Sequence, residues 1–395
     1  SGHWAWRLKN HIDLSFMRRF SELPVMRMEP PAPLPRYQAE GYDTNYAIFA
    51  EMRCSGCAAK ASATLLEKAM STARATALSL GASLDYLPQE NGILADATPT
   101  IAPDKPLIHS FDSLKQMVPD PFTFAQIAAN HALSDLYVAG ATPLWAQAHL
   151  NLQEASTTHQ QDYATQLLTG ALIALSGAQT TLIGGHTSQS SETSLGFAVT
   201  GAQSFHFAAY DGKEDYALIC TKALGTGVAL AAYQRQLLPS HAYDDTMQTM
   251  LLSNQQAAEA CFHAGTVAMT DITGFGIARH AQNLIDRLGH NIGVRLSLGA
   301  LPLISHIEPL LETGLKSSSF TNNQMAVELH ATPTASRQPR FGLLFDPQTS
   351  GGVLAIVPKC NAEELLRSLN QLSPFMRASI IGQITSDNTG LLIES

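Results

Sequence analysis

Residues 121–139 of the chain, PFTFAQIAANHALSDLYVA, form a strong helix pattern. Pro121 opens it, which suits a first turn because that position needs no backbone N–H. Apolar side chains then recur every three or four residues and predict one inward face: Phe124, Ile127, Ala128, Ala132, Leu133 and Tyr137. The segment therefore predicts a buried helix that carries an acidic side chain, Asp135, near its end.

Strand and helix patterns alternate on both sides of this helix. We predict strands at 91–95, 106–111, 143–152, 181–183, 194–203, 216–222, 267–271, 294–298, 342–345, 353–357 and 379–384. We predict further helices at 60–81, 162–176, 227–236, 243–265, 275–288 and 362–371, and a loop at 314–340. The pattern indicates an α/β (α+β) protein with an N-terminal arm and linker (1–45), a first domain (46–212) and a second domain (213–395).

Composition narrows the class of protein. The 395 residues are 45% hydrophobic and carry a net charge of −9, which argues against nonspecific binding of nucleic acid. Cys220, Cys261 and Cys360 stand apart in apolar contexts, so we expect reduced thiols and a cytoplasmic protein. No apolar run approaches the roughly 20 residues that a membrane span needs.

The N-terminal arm differs from the rest of the chain. Bulky apolar residues recur every four positions beside several arginines, at Trp4, Leu8, Ile12, Phe16 and Phe20. A basic amphipathic helix of this kind either lies on a membrane surface or docks onto a neighbouring domain. Prolines between residues 24 and 35 predict a stiff linker after it. Residues 1–3 resemble a cloning remnant, so we expect the chain to be cut from a longer one.

Residues 53–60, RCSGCAAK, place a thiol at Cys57 three residues before Lys60. A nearby cation lowers the pKa of a thiol and so favours the nucleophilic thiolate. The same lysine could reach a phosphate. The alternative is a loop whose cysteines have no chemical role, because two cysteines this close are a weak signal without a second pair.

Short polar clusters follow several predicted strands. They are Asp112, Gly184–Thr187 (GGHT), Asp271–Gly276 (DITGFG) and Asp346–Gly352 (DPQTSGG). Singly, such aspartates are more often helix caps and such glycines tight turns. Together, aspartates, glycine turns and a lysine are what a magnesium–nucleotide site requires, since Mg²⁺ prefers carboxylate and phosphate oxygens.

In this order, the motifs resemble those of selenophosphate synthetase, in the ATP-binding group that includes aminoimidazole ribonucleotide synthetase. The resemblance runs from about Met52 to the C-terminus through Cys57–Lys60, Ile127–Asp135, Gly184–Thr187, Ala268–Gly276 and Asp346–Gly352. It implies that ATP, selenide and water give selenophosphate, AMP and phosphate, with Mg²⁺. It also implies two α/β domains, the first pairing into a barrel-like homodimer. Residues 4–9 resemble the tail of an NADH dehydrogenase-like flavoprotein, so we expect that domain upstream.

The resemblance also implies roles for individual residues. Cys57 and Lys60 are the expected catalytic residues. The expected ATP-binding residues are Lys60, Glu90, Asp112, Asp135, Gly185, His186 and Thr187. The expected metal ligands are Asn91, Asp135 and Asp271.

The chain departs from the family at two places. Asn91 stands where the family has a metal-binding aspartate, and residues 319–322 differ from the family's basic segment. An amide oxygen can bind Mg²⁺ but brings no charge, so metal binding should weaken. This leaves two alternatives to an active synthetase. One is a degenerate nucleotide-binding or regulatory module of the fused oxidoreductase, and the other is a different ATP-dependent enzyme of the superfamily.

Overall fold

The structure is a computed structural model that describes residues 9, 11–12, 63–83, 105–212, 215–289, 292–385 and 389–395. The chain divides into two compact units, Ser1–Cys54 and Ser55–Ser395. In the first unit, Lys9, His11 and Ile12 are helical and exposed. The other expectations for the arm lie outside the described residues. Within the described ranges, no helix is both long and apolar enough to cross a membrane.

The second unit contains two β-sheets with helices against them. The helices are α1 (Ala63–Ser79), α2 (Pro121–Val138), α3 (Thr157–Gly177), α4 (Thr226–Gln234), α5 (Ser240–Leu251), α6 (Gln255–His263), α7 (Gly276–Leu288), α8 (Glu308–Glu312), α9 (Phe320–Met325) and α10 (Lys359–Leu372). The strands are β1 (Leu107–Lys115), β2 (Ala141–Gln153), β3 (Thr181–Ser190), β4 (Ser194–Gln203), β5 (Tyr216–Cys220), β6 (Ala268–Asp271), β7 (Gly293–Ser297), β8 (Leu329–Ala331), β9 (Val353–Pro358), β10 (Ser379–Thr385) and β11 (Gly390–Glu394). Short 3-10 helices lie at Leu298–Ala300, Ala335–Arg337 and Pro339–Phe345. This mixture confirms the predicted α/β class.

The first sheet has the described strand order β1-β4-β2-β3. Strands β2 and β3 are parallel and are joined by α3 as a crossover helix, whereas β4 runs antiparallel to β1 and β2. Side chains alternate across β1, where Ser110 and Asp112 are half-buried while His109 and Phe111 are exposed. One face of this sheet therefore lies under the helices, and the opposite face, which we call the outer face, carries Phe111.

Helix α2 occupies the predicted position to within one residue. The Asp120 side chain caps it by accepting a 2.8 Å hydrogen bond from the Thr123 amide, and Pro121 follows directly. Most of its side chains are buried, including Phe124, Ile127 and Leu133. Burial of this helix against β1 brings Asp135 beside the side chains of that strand.

The second sheet has the described order β6-β9-β5-β10-β7-β11-β8. Both β5 and β6 run antiparallel to β9, so β5 and β6 end at the same edge of the sheet, where β9 begins. Every residue of β5 is buried, which explains its continuous apolar sequence. This topology brings together Lys222 after β5, Asp271 at the end of β6, and residues 350–352 before β9.

Four predictions of secondary structure are wrong. Residues 243–265 do not form one helix but belong to two, α5 and α6, which a turn at 252–254 separates. Residues 342–345 belong to a 3-10 helix, and the predicted loop at 314–340 contains α9 and β8. A further strand, β11, follows β10.

The glycines of Gly184–Thr187 lie inside β3 and do not form a turn. They pair with β2 from Gln147 to Leu150. A Cβ at Gly185 would lie 2.1 Å from the carbonyl oxygen of Ala148, so close approach of the neighbouring strand explains this glycine.

Candidate active site

Three predicted aspartates form one group, which we call the acidic cluster: Asp112, Asp135 and Asp271. Asp112 on β1 lies beside Asp135 on α2, and the two carboxyl groups repel each other. The Ser110 hydroxyl, from the same face of β1, donates a hydrogen bond to Oδ2 of Asp135. Asp271 is 4% exposed and interacts electrostatically with both other carboxyl groups. Asp135 lies near the end of α2 and Asp271 ends β6, whereas Asp112 does not follow a strand as predicted but lies inside β1, which continues to Lys115.

The electrostatics of this cluster disfavour negative charge. Burial raises the pKa of Asp112 to about 6, and repulsion by Asp135 adds to the effect. Burial also raises the pKa of Asp271 to about 7, with repulsion by Asp135 and Asp112 in the same direction and a hydrogen bond from Ser134 opposing them. Carboxyl groups crowded in this way are stabilised in their ionised form by a bound cation.

The chemistry of the cluster fits Mg²⁺, which prefers carboxylate oxygens. Among the residues that the structure describes, however, no group of three or more His, Cys, Asp or Glu side chains is arranged so that it could hold a metal ion. In this arrangement the aspartates can supply single ligands only, and the remaining ligands of a metal ion would come from substrate and solvent.

A buried lysine lies behind the cluster. Lys222 is 0% exposed, and its Nζ donates to the main-chain carbonyls of Leu252 and Ser350, the latter at 3.1 Å. Burial lowers the pKa of Lys222 to about 7, while the charge of Asp271 opposes that shift. Because this amine donates to the carbonyls of Leu252 and Ser350, it stabilises the backbone of those two segments and does not extend toward a ligand.

The loop at 350–352 is held by both halves of the unit. The Ser350 amide donates to Nδ1 of His131 on α2 at 3.3 Å, and its carbonyl accepts from Lys222. Ser350 is 2% exposed and has a φ of +47°, in the left-handed region. A Cβ at Gly352 would lie 2.5 Å from the Lys222 amide nitrogen, which leaves room only for glycine. Buried partners therefore hold Ser350 in its strained left-handed conformation.

A second buried link passes through Asn254 in the turn between α5 and α6. Its amide nitrogen donates to the Ser134 hydroxyl and to the Gly351 carbonyl, both at 2.8 Å. Ser134 in turn lies beside Asp271 and favours its ionised form. Asn254 therefore connects α2, the 350–352 loop and the acidic cluster.

The polar residues of Asp346–Gly352 form hydrogen bonds inside the protein. The Gln348 side-chain oxygen accepts from the amides of Gly225 and Thr226, at the start of α4. Asp346 accepts from the Val228 amide at 3.3 Å, and burial raises the pKa of its carboxyl to about 7. The side chains of this motif therefore cap the N-terminus of α4.

The predicted phosphate-side residues lie elsewhere on the first sheet. Gly185, His186 and Thr187 belong to β3, three strands away from β1, a separation of about 14 Å at ordinary strand spacing. The His186 ring stacks on His149 with centroids 6.2 Å apart, and His149 in turn contacts Phe111 on the outer face. Within one chain, these residues are not brought to the acidic cluster.

The remaining predicted residues, Cys57, Lys60, Glu90 and Asn91, lie outside the described residues. Conversely, sequence reasoning missed His131, Lys222 and Asn254. His131 stood inside a quoted motif, and Lys222 follows a fully apolar strand, which is an unusual place for a charge. Asn254 gave no signal because its segment resembled a continuous helix.

Both halves of the chain match family models. Residues 92–203 match AIR synthase related protein, N-terminal domain, and residues 213–393 match AIR synthase related protein, C-terminal domain. Among solved structures, thiamine-monophosphate kinase from Stenotrophomonas maltophilia K279a superposes with a TM-score of 0.61 at 19% identity, covering 83% of this chain and 96% of that one. HypE, a hydrogenase maturation protein of E. coli, gives 0.58 at 17% identity, covering 84% and 92%. At these identities the likeness shows the fold alone.

Relatives identified by sequence indicate the family more narrowly than the solved structures do. A selenide, water dikinase from Caldanaerobacter subterraneus subsp. tengcongensis is 33% identical over 283 residues, which is 71% of this chain and 80% of that protein. A selenide, water dikinase from Geobacter metallireducens is 34% identical over 265 residues, which is 66% and 75%.

Proposed function

Since the chain belongs to the selenide, water dikinase family and has the two-domain AIR synthase-like fold, we propose that it makes selenophosphate from ATP, selenide and water, releasing AMP and phosphate. The observation that carries the proposal is the convergence of the carboxyl groups of Asp112, Asp135 and Asp271 from β1, α2 and β6. The sequence relatives favour this activity over a degenerate module or another superfamily reaction.

The acidic cluster would hold magnesium through Asp135 and Asp271, with Asn91 adding a neutral amide oxygen. Bound Mg²⁺ supplies the positive charge that lets a triphosphate approach carboxylates and stabilises charge on the transferred phosphoryl group. Asp112 and Glu90 would face the nucleotide. The neutral side chain of Asn91 predicts weaker metal binding than an aspartate would give.

Cys57 and Lys60 are the proposed catalytic pair. Lys60 would neutralise phosphate charge during transfer. Cys57 would bind selenide or assist the transfer, since its thiolate would be favoured by the nearby lysine. Both assignments follow from the family motif.

We infer that two chains pair through the outer face of the first sheet. Phe111 on that face is 56% exposed, and the Nδ1 atom of the neighbouring His149 is buried without a hydrogen-bond partner in the described part of the chain. A second copy would cover the exposed Phe111 ring. Gly185, His186 and Thr187 lie near this face, so any phosphate contact they make would involve a pairing surface and not the acidic cluster of their own chain.

We also propose that residues 1–45 connect the synthetase to an upstream flavoprotein domain in a cytoplasmic protein, and that residues 46–212 and 213–395 are its two domains. The basic amphipathic pattern of the arm makes it a candidate for contact with a membrane surface. Binding of the chain to vesicles containing anionic lipid, and its loss after deletion of residues 1–45, tests that contact.

The activity is tested with the full chain under anaerobic conditions. AMP is measured by chromatography after incubation with ATP, Mg²⁺ and selenide, and again without selenide. We expect AMP only in the complete mixture, and we expect Asp135→Asn to slow its formation by at least about tenfold. Absence of AMP at every Mg²⁺ concentration would end the proposal.

A further inference from the structure

The buried side chain of His131 is held in one protonation state. His131 on α2 is 6% exposed, and its Nδ1 accepts a hydrogen bond from the Ser350 amide. A ring nitrogen that accepts a hydrogen bond carries no proton, so the hydrogen of the neutral ring must reside on Nε2. The tautomer is thus assigned by a main-chain donor, which cannot reverse its role.

The opposite ring nitrogen faces the acidic cluster. Nε2 of His131 lies 4.0 Å from Oδ2 of Asp112. This exceeds the limit of about 3.2 Å for a direct hydrogen bond, so the contact needs a closure of about 1 Å. Such contacts often tighten only when substrate binds. The donor therefore lies beside Asp112, a half-buried carboxylate of the cluster with 36% of its side chain accessible.

The ring is hydrogen-bonded to a buried loop residue. The Ser350 amide that fixes Nδ1 belongs to a buried residue in the left-handed region, and Lys222 holds the carbonyl of the same residue. A flip of the imidazole would leave the Ser350 amide buried without an acceptor, at a cost of about 1–3 kcal/mol. His131 therefore presents Nε2–H to Asp112 in a single orientation.

We propose that His131 is a positioning residue, which uses its Nε2–H to orient the Asp112 carboxylate for binding of the metal–nucleotide. This rests on the proposed function, because it assigns Asp112 to the nucleotide side of the site. The alternative is that His131 acts only as a structural acceptor for Ser350.

Two variants separate these roles, because each keeps the hydrogen-bonding capacity of only one of the two ring nitrogens. In His131→Asn, the amide oxygen can occupy the place of Nδ1 and accept from Ser350, but nothing reaches Asp112. In His131→Gln, the longer amide can donate to Asp112, but the Ser350 acceptor is lost. Affinity for ATP with Mg²⁺ is measured by calorimetry without selenide, and thermal stability is measured on the same samples.

We expect opposite patterns in the two variants. His131→Asn should keep its melting temperature and lose about tenfold or more in ATP affinity, as outer-shell partners typically do. His131→Gln should melt lower and retain more of the affinity. In an Asp112→Asn background, His131→Asn should cause little further loss, since the two residues act as one unit. Nitrogen NMR of the wild type should show the Nε2–H tautomer.

The proposal is overturned if His131→Asn binds ATP as the wild type does, or if affinity in both variants follows stability. A wild-type chain that does not bind ATP with Mg²⁺ would contradict the proposed function itself. A chain that binds ATP equally well with and without the Nε2 donor would contradict only the role of His131.

Discussion

The side chains of Asp112 on β1 and Asp135 on α2 lie close enough for their carboxyl groups to repel each other, although one residue is on a strand and the other on a helix. Neighbouring carboxyl groups oppose each other's ionisation. Burial and this neighbour raise the pKa of Asp112 to about 6, and the pKa of Asp271 is raised to about 7. The site therefore holds protons near neutral pH that a cation must displace.

Magnesium binding should release protons. A cation favours the ionised carboxylates and lowers both raised pKa values, so release should be larger at pH 6 than at pH 8.5, where the groups are already ionised. Calorimetric titration of Mg²⁺ in the presence of a non-hydrolysable ATP analogue, in buffers of different ionisation enthalpy, measures the proton count. Heats that do not depend on the buffer at pH 6 would contradict the mutual crowding of these groups.

Removing the charge of Asp271 should stabilise the metal-free protein. Its folded pKa is raised above the unfolded value, so the native state binds more protons between pH 4 and 7 and loses stability as pH rises through that window. With EDTA at pH 8, Asp271→Asn should therefore melt higher than the wild type, and the difference should shrink at pH 5. Stabilisation by Mg²⁺ and ATP should disappear in this variant.

The matched control for that experiment is Asp162→Asn, which removes an exposed carboxylate on α3. It should change neither the pH dependence of melting nor the response to Mg²⁺. If Asp271→Asn melts lower than the wild type at pH 8, the carboxylate is stabilised by partners other than a metal ion.

Replacing Lys222 by Met should destabilise the two backbone segments that its amine holds, at Leu252 and Ser350. The Leu252 and Ser350 carbonyls would each lose a buried donor, at about 1–3 kcal/mol per unsatisfied group, partly offset by removal of a buried charge. Urea unfolding measures the net change. Lys68→Met, at an exposed position on α1, should leave the free energy of unfolding nearly unchanged, and equal effects of the two substitutions would argue against this role of Lys222.

A charge on the outer face should prevent pairing of chains. Phe111→Asp is expected to convert a dimer to a monomer in analytical ultracentrifugation, because pairing would bury an unpaired carboxylate. Leu237→Asp is the matched control, since both side chains are 56% exposed and Leu237 lies after α4. A wild-type monomer, or a Phe111→Asp dimer, would contradict the pairing surface.

Two members of the acidic cluster were predictable because they lie at or near the ends of regular elements. Helix α2 had an unambiguous apolar period, and Asp271 closes an apolar strand, so both could be placed before any contact was known. Asp112 lies inside β1, which extends past the predicted strand end at residue 111, so its position beside them was not given by that pattern.

Other features depend on contacts that no local pattern encodes. Gly184–Thr187 has the composition of a turn, but strand pairing with β2 explains its glycines. The turn at 252–254 is specified by partners at least 30 positions away in sequence, at Lys222, Ser134 and Gly351. The orientation of His131 depends on its hydrogen bond with Ser350, which lies 219 positions later in the chain.

The most direct test of the account is phosphorus NMR of the complete anaerobic reaction, run for the wild type, Asp135→Asn and the control Asp162→Asn. The account predicts a selenophosphate signal, together with AMP and phosphate, for the wild type and Asp162→Asn, and a loss of that signal in Asp135→Asn. Selenophosphate formation that survives in Asp135→Asn, or no selenophosphate from the wild type, would contradict it.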